Sequence, residues 1–423
     1  MLASGTACPD LVTRTLPTRS LLLLVAAASI LTICFGLRQS LGLFLRPVTI
    51  ELGISAAAFS FALALQNIVW GCSQPLVGMV ADRFGARPVL VATALLYAAG
   101  LLIMAYADGA LGVNVAGFVI GIGIAGTGVG VLMGVVSRAT PPERRSQAVG
   151  AVAAAGSLGT MVLAPLGQAL IDAFDWRTAL LGFAAIAALM AVLAAAIRGP
   201  AALPGGAARD GTAGLSFVQV FRAASTHRGF LAMTIAFFAC GFQLVFITTH
   251  LAPFLDICGL PASASASALG LIGLFNAFGT YTAGLLGARF SQRRLLALVY
   301  LLRTVTIIVY LALPITVAST LVFAAVMGFL WLSVVPLVAG LIGRMFGLGY
   351  FNTLYGVAFL SHQLGSFAGA WMGGVVFDFT GGYGIAWAAL IVVGFLAFAL
   401  QWTMDDRPAD AGPAALRPAP GTA

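Results

Sequence analysis

Apolar residues gather into twelve long stretches, and the polar positions between them are short and clustered. The stretches cover about 20–46, 56–81, 88–107, 110–137, 147–171, 177–197, 229–255, 263–287, 295–315, 319–343, 350–377 and 383–403. A helix needs about 20 mostly apolar residues to cross the hydrocarbon core of a bilayer, so each stretch predicts a spanning helix, numbered here spans 1 to 12. The one sizeable hydrophilic interval, 198–228, divides them six and six. It carries Pro200, Pro204, Gly205, Gly206, Arg209, Asp210 and Gly211, a linker's composition, and Ser216 to Ala224 has the pattern of a short amphipathic helix on the membrane surface. The predicted organisation is a leading segment 1–19, a six-helix bundle 20–197, the linker 198–228, a second bundle 229–403, and a tail 404–423 expected to be disordered.

The two bundles are copies. Gly78-Met-Val-Ala-Asp82-Arg83-Phe84-Gly85-Ala-Arg87-Pro88 follows span 2, and Gly284-Leu-Leu-Gly-Ala288-Arg289-Phe290-Ser-Gln-Arg293-Arg294 follows span 8, 206 residues later. The same offset carries Pro47 onto Pro253, and Gly150, Leu158, Gly159, Gly167 and Asp172 onto Gly356, Leu364, Gly365, Gly373 and Asp378. A duplicated membrane bundle is the architecture of transporters, with the substrate site between the halves.

Composition agrees. The chain is 61% hydrophobic and 8% charged, against about 45–50% and about 25% in soluble domains. All 21 basic residues are Arg. With the N-terminus inside, seventeen fall on that side; Arg46 and Arg177 fall outside, and Arg38 and Arg303 within spans. The positive-inside rule then predicts both termini in the cytoplasm of a bacterial-type inner membrane. The net charge of +8 suits an anionic lipid leaflet and calls for no nucleic-acid partner, since no basic patch is interleaved with aromatics.

Three local patterns mislead. Arg14 and Arg19 before Leu21-Leu-Leu-Leu24 resemble a signal peptide, but the apolar run continues past Leu37, too long for a cleaved segment. Gly121-Ile-Gly123-Ile-Ala-Gly126 spells a dinucleotide fingerprint without a strand before it; mid-span, with Gly117, Gly128, Gly130 and Gly134, it predicts close helix packing. Cys8, Cys34, Cys72, Cys240 and Cys258 show no paired spacing and read as small apolar fillers.

Six plus six spans, a central loop, and the Gly78-x-x-x-Asp82-Arg83-x-Gly85-x-Arg87 turn resemble the major facilitator superfamily over nearly the whole chain. The resemblance implies that Gly78, Asp82, Arg83, Gly85 and Arg87 form a latch bracing the two halves in the outward-open state. Gly78 would permit close helix contact, and Asp82 would accept hydrogen bonds from a helix N-terminus or an Arg across the interface. Ala288 replaces Asp82 in the second copy, so only the first latch is charged. Gly36-Leu-Arg38-Gln39-Ser40-Leu-Gly42-Leu-Phe44-Leu-Arg-Pro47, then Glu51-Leu-Gly53-Ile-Ser55, Gln66-Asn67 and Trp70-Gly71, resemble bacterial relatives of the monocarboxylate porters. In those porters a span 1 cation is used, a place held here by Arg38 or Gln39. Their span 8 Asp and Arg, one turn apart, align with Asn276 and Thr280, so that pair is absent.

An ionisable group inside a span costs at least about 2.5–3.5 kcal/mol at the bilayer centre and is a functional candidate by default. The spans contain Arg38, Arg303, His250 and His362, while Glu51, Asp82, Asp172, Asp256 and Asp378 fall at helix ends or in loops. Two embedded guanidiniums thus lack a fixed carboxylate, and a mobile anion would complete the pairing through the bidentate fork. Arg38 is expected to contact substrate; Arg303 on span 9 would do the same, snorkel, or brace span 8. His362 leads as proton carrier, with His250 next in a gating, proton-exchange or structural role. Gln39, Gln66, Asn67, Gln243 and Asn276 would bind a small polar ligand or hydrogen-bond between helices.

No carboxylate pair, metal-ligand cluster or phosphate-cradling loop stands in the chain, so no enzyme, metal or cofactor is expected. The expected function is gradient-driven carriage of a small organic anion (monocarboxylate-like, with a proton) by a chain working as a monomer. The alternatives are efflux of amphipathic compounds, uptake of a larger nutrient such as a vitamin, and a receptor on a transporter scaffold. Gly156-Ser-Leu-Gly159 with Pro165-Leu-Gly167 is similar to the exporters' pattern without its Gly-Pro pair.

Overall fold

The computed structural model describes residues 18–140, 142–197, 224–346 and 351–407. The tail beyond 407, most of the leading segment and the amphipathic stretch at 216–223 lie outside the described residues. The fold is all helical. Span 1 runs Thr18–Ser40, a 3-10 turn Leu41–Phe44, and Leu45–Leu52. Spans 2 to 6 are Ala56–Phe84, Ala86–Ala105, Ala110–Thr127 with Val129–Ala139, Pro142–Ala173 and Trp176–Ala196. Spans 7 to 12 are Arg228–Ile257, Ala262–Arg289, Gln292–Ala312, Val317–Leu330 with Val334–Phe346, Phe351–Thr380 and Gly384–Thr403. Among the described residues eleven helices are long and apolar enough to cross a membrane. Span 11 is the twelfth; Ser361, His362, Gln363 and Ser366 interrupt its apolar run at the middle.

Exposed Leu96, Leu102, Val192, Val309 and Leu396 face outward, where a bilayer rather than water would meet them. Small residues set the close approaches. Gly159 has no room for a Cβ against the Thr32 carbonyl, nor Gly365 against that of Phe238, and Thr32 and Phe238 are themselves 206 residues apart. The duplication is therefore a duplication of packing. The glycine-rich span 4 behaves as its sequence predicts, with Gly117 against the Ala62 carbonyl and Gly121 against that of Gln66.

Between the halves, span 2 lies on span 11 and span 5 on span 8, again over small residues: Gly374 against Ala56 and Ala57, and Gly273 against Ser157. With twelve spans, Thr18 and Arg407 share one face, and at the opposite face two polar contacts join the halves beside a cavity of about 450 Å³ that Arg46, Gln168 and Asp256 help to line. There Arg46 on span 1 pairs with Asp256 on span 7. Asp378, at the end of span 11, accepts from the Ala56 and Ala57 amides at 3.0 and 2.8 Å, an anion on the N-terminus of span 2. Its counterpart Asp172 accepts instead from Gln168 on its own helix, at 2.8 Å. On the termini face, at Gly78, Gly284, Gly150 and Gly356, two duplicated pairs, a Cβ would meet nothing within 4 Å among the described residues.

Replacing Asp378 with Asn keeps the size of the side chain and removes the charge that the span 2 N-terminus attracts. Asp378→Asn should raise the fraction of molecules open on the face opposite the termini by roughly three- to tenfold. Distances between spin labels on spans 2 and 11 at that face report this fraction, and a distribution identical to wild type would refute the role.

Candidate functional site

The 3-10 turn Leu41–Phe44 interrupts span 1 one turn after Arg38, midway through the molecule. A cavity of about 10 Å³ lies there between the halves, lined by Arg38, Gly42, Leu63, Gln66 and Asn67 from the first, and by Val245, Thr248 and Thr249 from the second. It has the volume of about one water. Arg38 Nη2 donates to Asn67 Oδ1, whose own amide donates to the Leu63 carbonyl at 2.7 Å. The guanidinium lies 5.1 Å from the Trp70 ring centroid, a cation–π contact. No ion pair joins a carboxylate to Arg38 among the described residues; those formed lie at the helix ends and loops, such as Arg177–Glu51 at 3.0 Å and Arg344–Asp406 at 3.1 Å.

Three buried N–H donors on spans 1 and 2 have no acceptor among the described residues: Arg38 Nε, Gln66 Nε2 and Trp70 Nε1. A cation surrounded by spare donors, and no anion, is the polarity of a site for an anionic ligand. Gln66 and Asn67 join Arg38 at this site. Gln39 is buried on span 1 but does not line the cavity.

Arg303 is placed otherwise. Its Nε and Nη2 donate to the Leu330 carbonyl at 3.0 and 2.7 Å, and Nη2 also to that of Trp331. These carbonyls are freed by the break in span 10 between Leu330 and Val334. Arg303 has no carboxylate among the described residues either, but helix-end carbonyls fix it, and it braces span 10 rather than span 8. Tyr97, its counterpart in the first half, likewise donates to a backbone carbonyl, that of Cys34, at 3.2 Å. The position braces a neighbouring helix in both copies.

Asn276 holds the other side of the same break. Its Oδ1 accepts from the Leu332 amide at 3.0 Å and from Thr280 at 3.1 Å, and its Nδ2 donates across the halves to Ser157 on span 5 at 3.0 Å. Gln243 donates to the Leu390 carbonyl on span 12 at 3.1 Å, inside the second half and away from the cavity.

The two histidines differ as sharply. His250 is fully buried, with Nε2 2.7 Å from the Ala370 carbonyl and Nδ1 3.3 Å from the Tyr383 hydroxyl. A carbonyl only accepts, so Nε2 carries the hydrogen and Nδ1 receives the phenol proton; both nitrogens are used. His362 lies between the rings of Phe237, at 4.9 Å, and Phe359, at 5.9 Å, and its described hydrogen bonds all fall on Nδ1. Phe359 in turn meets Trp70 at 5.3 Å, so the His362 pocket continues into the ring beneath Arg38.

Of the turn residues, Arg83 and Arg87 are exposed, and Arg83 lies 5.4 Å from the Phe84 ring. Gly85 takes φ +90, which lets the chain turn between spans 2 and 3 where an L side chain would be strained. The side chain of Asp82 lies outside the described ones. Trp70, Ser157, Thr249 and Gln363 contribute polar groups that sequence reasoning did not single out as site residues. Trp70 could have been found from its place in the same segment as Asn67; Ser157 could not, because its partner is 119 residues away.

The profile described as Major Facilitator Superfamily matches residues 27–370. The chain belongs to this superfamily. It is 23% identical over 393 residues to the oxalate:formate antiporter of Oxalobacter formigenes, covering 89% of each chain. It is 25% identical over 353 residues to monocarboxylate transporter 13 of Rattus norvegicus, 82% of this chain and 80% of the relative. An uncharacterized MFS-type transporter, YcxA of Bacillus subtilis (strain 168), is 23% identical over 362 residues, 84% and 88%. Among solved structures, a bacterial homolog of the human lysosomal transporter Spinster, inward-facing and unoccupied, superposes with a TM-score of 0.75 at 16% identity, over 94% of this chain and all of that one. That likeness supports the fold: twelve membrane helices in two repeated bundles, the architecture of a multi-pass transporter of small molecules.

Proposed function

We propose that this chain carries a small monocarboxylate-like anion, together with a proton, across the bacterial inner membrane by alternating access, as a monomer. The observation that carries the reading is Arg38: a buried guanidinium between the halves, beside spare donors on Gln66 and Trp70, with no carboxylate partner. An incoming carboxylate would take the fork of Arg38 in place of Asn67 Oδ1 and accept from the neighbouring donors. The names of the porter and antiporter relatives support an anionic solute.

On this reading the termini face, rich in Arg, is cytoplasmic. The Asp82 turn is then a latch that braces the halves when the cytoplasmic side closes. The rigid bodies of the cycle are the bundles 20–197 and 229–403, joined by the linker 198–228.

Thermal unfolding of the purified protein against a panel of mono- and dicarboxylates and cationic amphiphiles tests the solute class, because only ligands of the native state stabilise it. Saturable stabilisation by carboxylates is expected, by about 2.7 kcal/mol at a hundredfold excess over Kd. Stabilisation by cationic amphiphiles alone would overturn the reading in favour of efflux.

A further inference from the structure

Gln363 is the residue after His362, yet its amide reaches across the interface between the halves. Its Nε2 donates to the Asn67 backbone carbonyl on span 2 at 3.0 Å, and its Oε1 stands 3.2 Å from His362 Nδ1. The orientation of this amide is settled by its partners. A carbonyl has only lone pairs, so the end facing Asn67 must be NH₂ and the end facing His362 must be the oxygen. An oxygen there requires hydrogen on Nδ1. Neutral His362 is thereby held as the Nδ1–H tautomer, with its lone pair on Nε2, the only nitrogen left to accept a proton.

We propose that Gln363 is a positioning residue that selects the proton-accepting nitrogen of His362 and makes that selection depend on contact between spans 2 and 11. The proposal deepens the proton-coupled reading and rests on it for its transport consequence, though not for the tautomer itself. Three observations support it. The stem of Gln363 lies against Gly71, where an added Cβ would stand 3.0 Å from its Cγ and 3.1 Å from its Cβ, so span 2 provides a notch for this side chain. The carbonyl it binds belongs to Asn67, whose side chain holds Arg38, so the anion site and the imidazole share one residue. Ser366, which could compete for Oε1, lies closer to the His362 carbonyl, at 2.9 Å, than to Oε1, at 3.4 Å, and so leaves Oε1 to Nδ1 at 3.2 Å.

The charged groups that face His362 are Arg38 from span 1 and Arg303 from span 9. Span 7 presents the Phe237 ring and Gly241 to it, and span 2 no titratable side chain. When spans 2 and 11 separate, the Asn67 carbonyl leaves and the amide of Gln363 becomes free to turn over. The proton-accepting nitrogen would then no longer be specified. A proton could be taken up at a defined atom in one state of the cycle and not in the other.

The chain has three histidines, so ¹⁵N NMR of the histidine side chains is tractable, with His362 assigned by the resonances lost in His362→Gln. Wild type at a pH where the ring is neutral should show the Nδ1–H tautomer at His362. Gln363→Met, of similar shape but without an acceptor, should shift it towards Nε2–H. Gly71→Ala, which leaves Gln363 intact and fills its notch, should do the same. Gln363→Glu should restore Nδ1–H, because a carboxylate also accepts. In transport, Gln363→Met should move the pH midpoint of uptake by about one unit while anion affinity changes less than about threefold. An Nε2–H tautomer in wild type, or one unaltered in both Gln363→Met and Gly71→Ala, would overturn the proposal. If uptake proves independent of protons, the proton-coupled reading fails while the tautomer measurements still decide the role of Gln363.

Discussion

Uptake of the cognate anion should fall to background in Arg38→Ala, while the protein still inserts and folds. The guanidinium makes one described side-chain hydrogen bond, to Asn67, and one ring contact, to Trp70. Asn67 keeps its anchor on the Leu63 carbonyl, and the adjoining cavity can admit a water to the oxygen that Arg38 leaves. The loss to packing is therefore small. The loss to binding is not, because a desolvated carboxylate deprived of its charge partner forfeits about 3–5 kcal/mol, or roughly a hundred- to several-thousandfold in affinity. Arg38→Lys should recover part of this, since an ammonium restores the charge without the fork. Proteoliposome uptake and ligand-induced stabilisation measure the two effects. Wild-type uptake by a well-expressed Arg38→Ala protein would remove Arg38 from the site.

The contrast between Arg38 and Arg303 shows where sequence reasoning stops. Both are lone arginines in apolar stretches, and no local pattern separates them. Their difference comes from the break at Leu330–Val334, which exposes two carbonyls to Arg303. That break sits at Trp331-Leu332-Ser333; Pro336, which cannot bond the Leu332 carbonyl four residues back, and Gly328 mark it, but nothing local says that Arg303 takes the freed carbonyls. The helices and their duplication were legible, because lipid demands apolar faces and tight crossings demand glycine at matched positions. The 206-residue register even places Gly159 and Gly365 on equivalent partners. The same register pairs Asp172 with Asp378, yet only Asp378 is described capping a helix across the halves. Such asymmetry belongs to the conformation, and a sequence read as one pattern holds every conformation at once. Bonds such as Asn276 to Ser157 and Gln363 to Asn67 span 119 and 296 residues and follow only from the packed halves.

An imposed proton gradient should drive the anion uphill in wild type and not in His362→Gln. The cavity between the halves holds Arg38 without a carboxylate, so an empty site opposes a second positive charge, and a bound anion removes that opposition. Anion and proton would then bind with mutual assistance, and by linkage each would strengthen the other equally. One proton carried per monovalent anion sets a limit of about tenfold accumulation per pH unit, since each unit is worth about 1.4 kcal/mol. Gln at 362 keeps a polar, uncharged side chain between Phe237 and Phe359, so folding and anion binding should survive. Counterflow exchange of labelled for unlabelled anion, which needs no net proton movement, should persist in the variant and so separates a coupling defect from a dead protein. If His362→Gln still accumulates anion uphill, His362 is not the carrier, and His250, closed off between Ala370 and Tyr383 in this conformation, becomes the residue to test. If wild type exchanges anions and ignores the gradient, coupling to protons is wrong, and the exchange named for the Oxalobacter relative becomes the better account of the same Arg38 site.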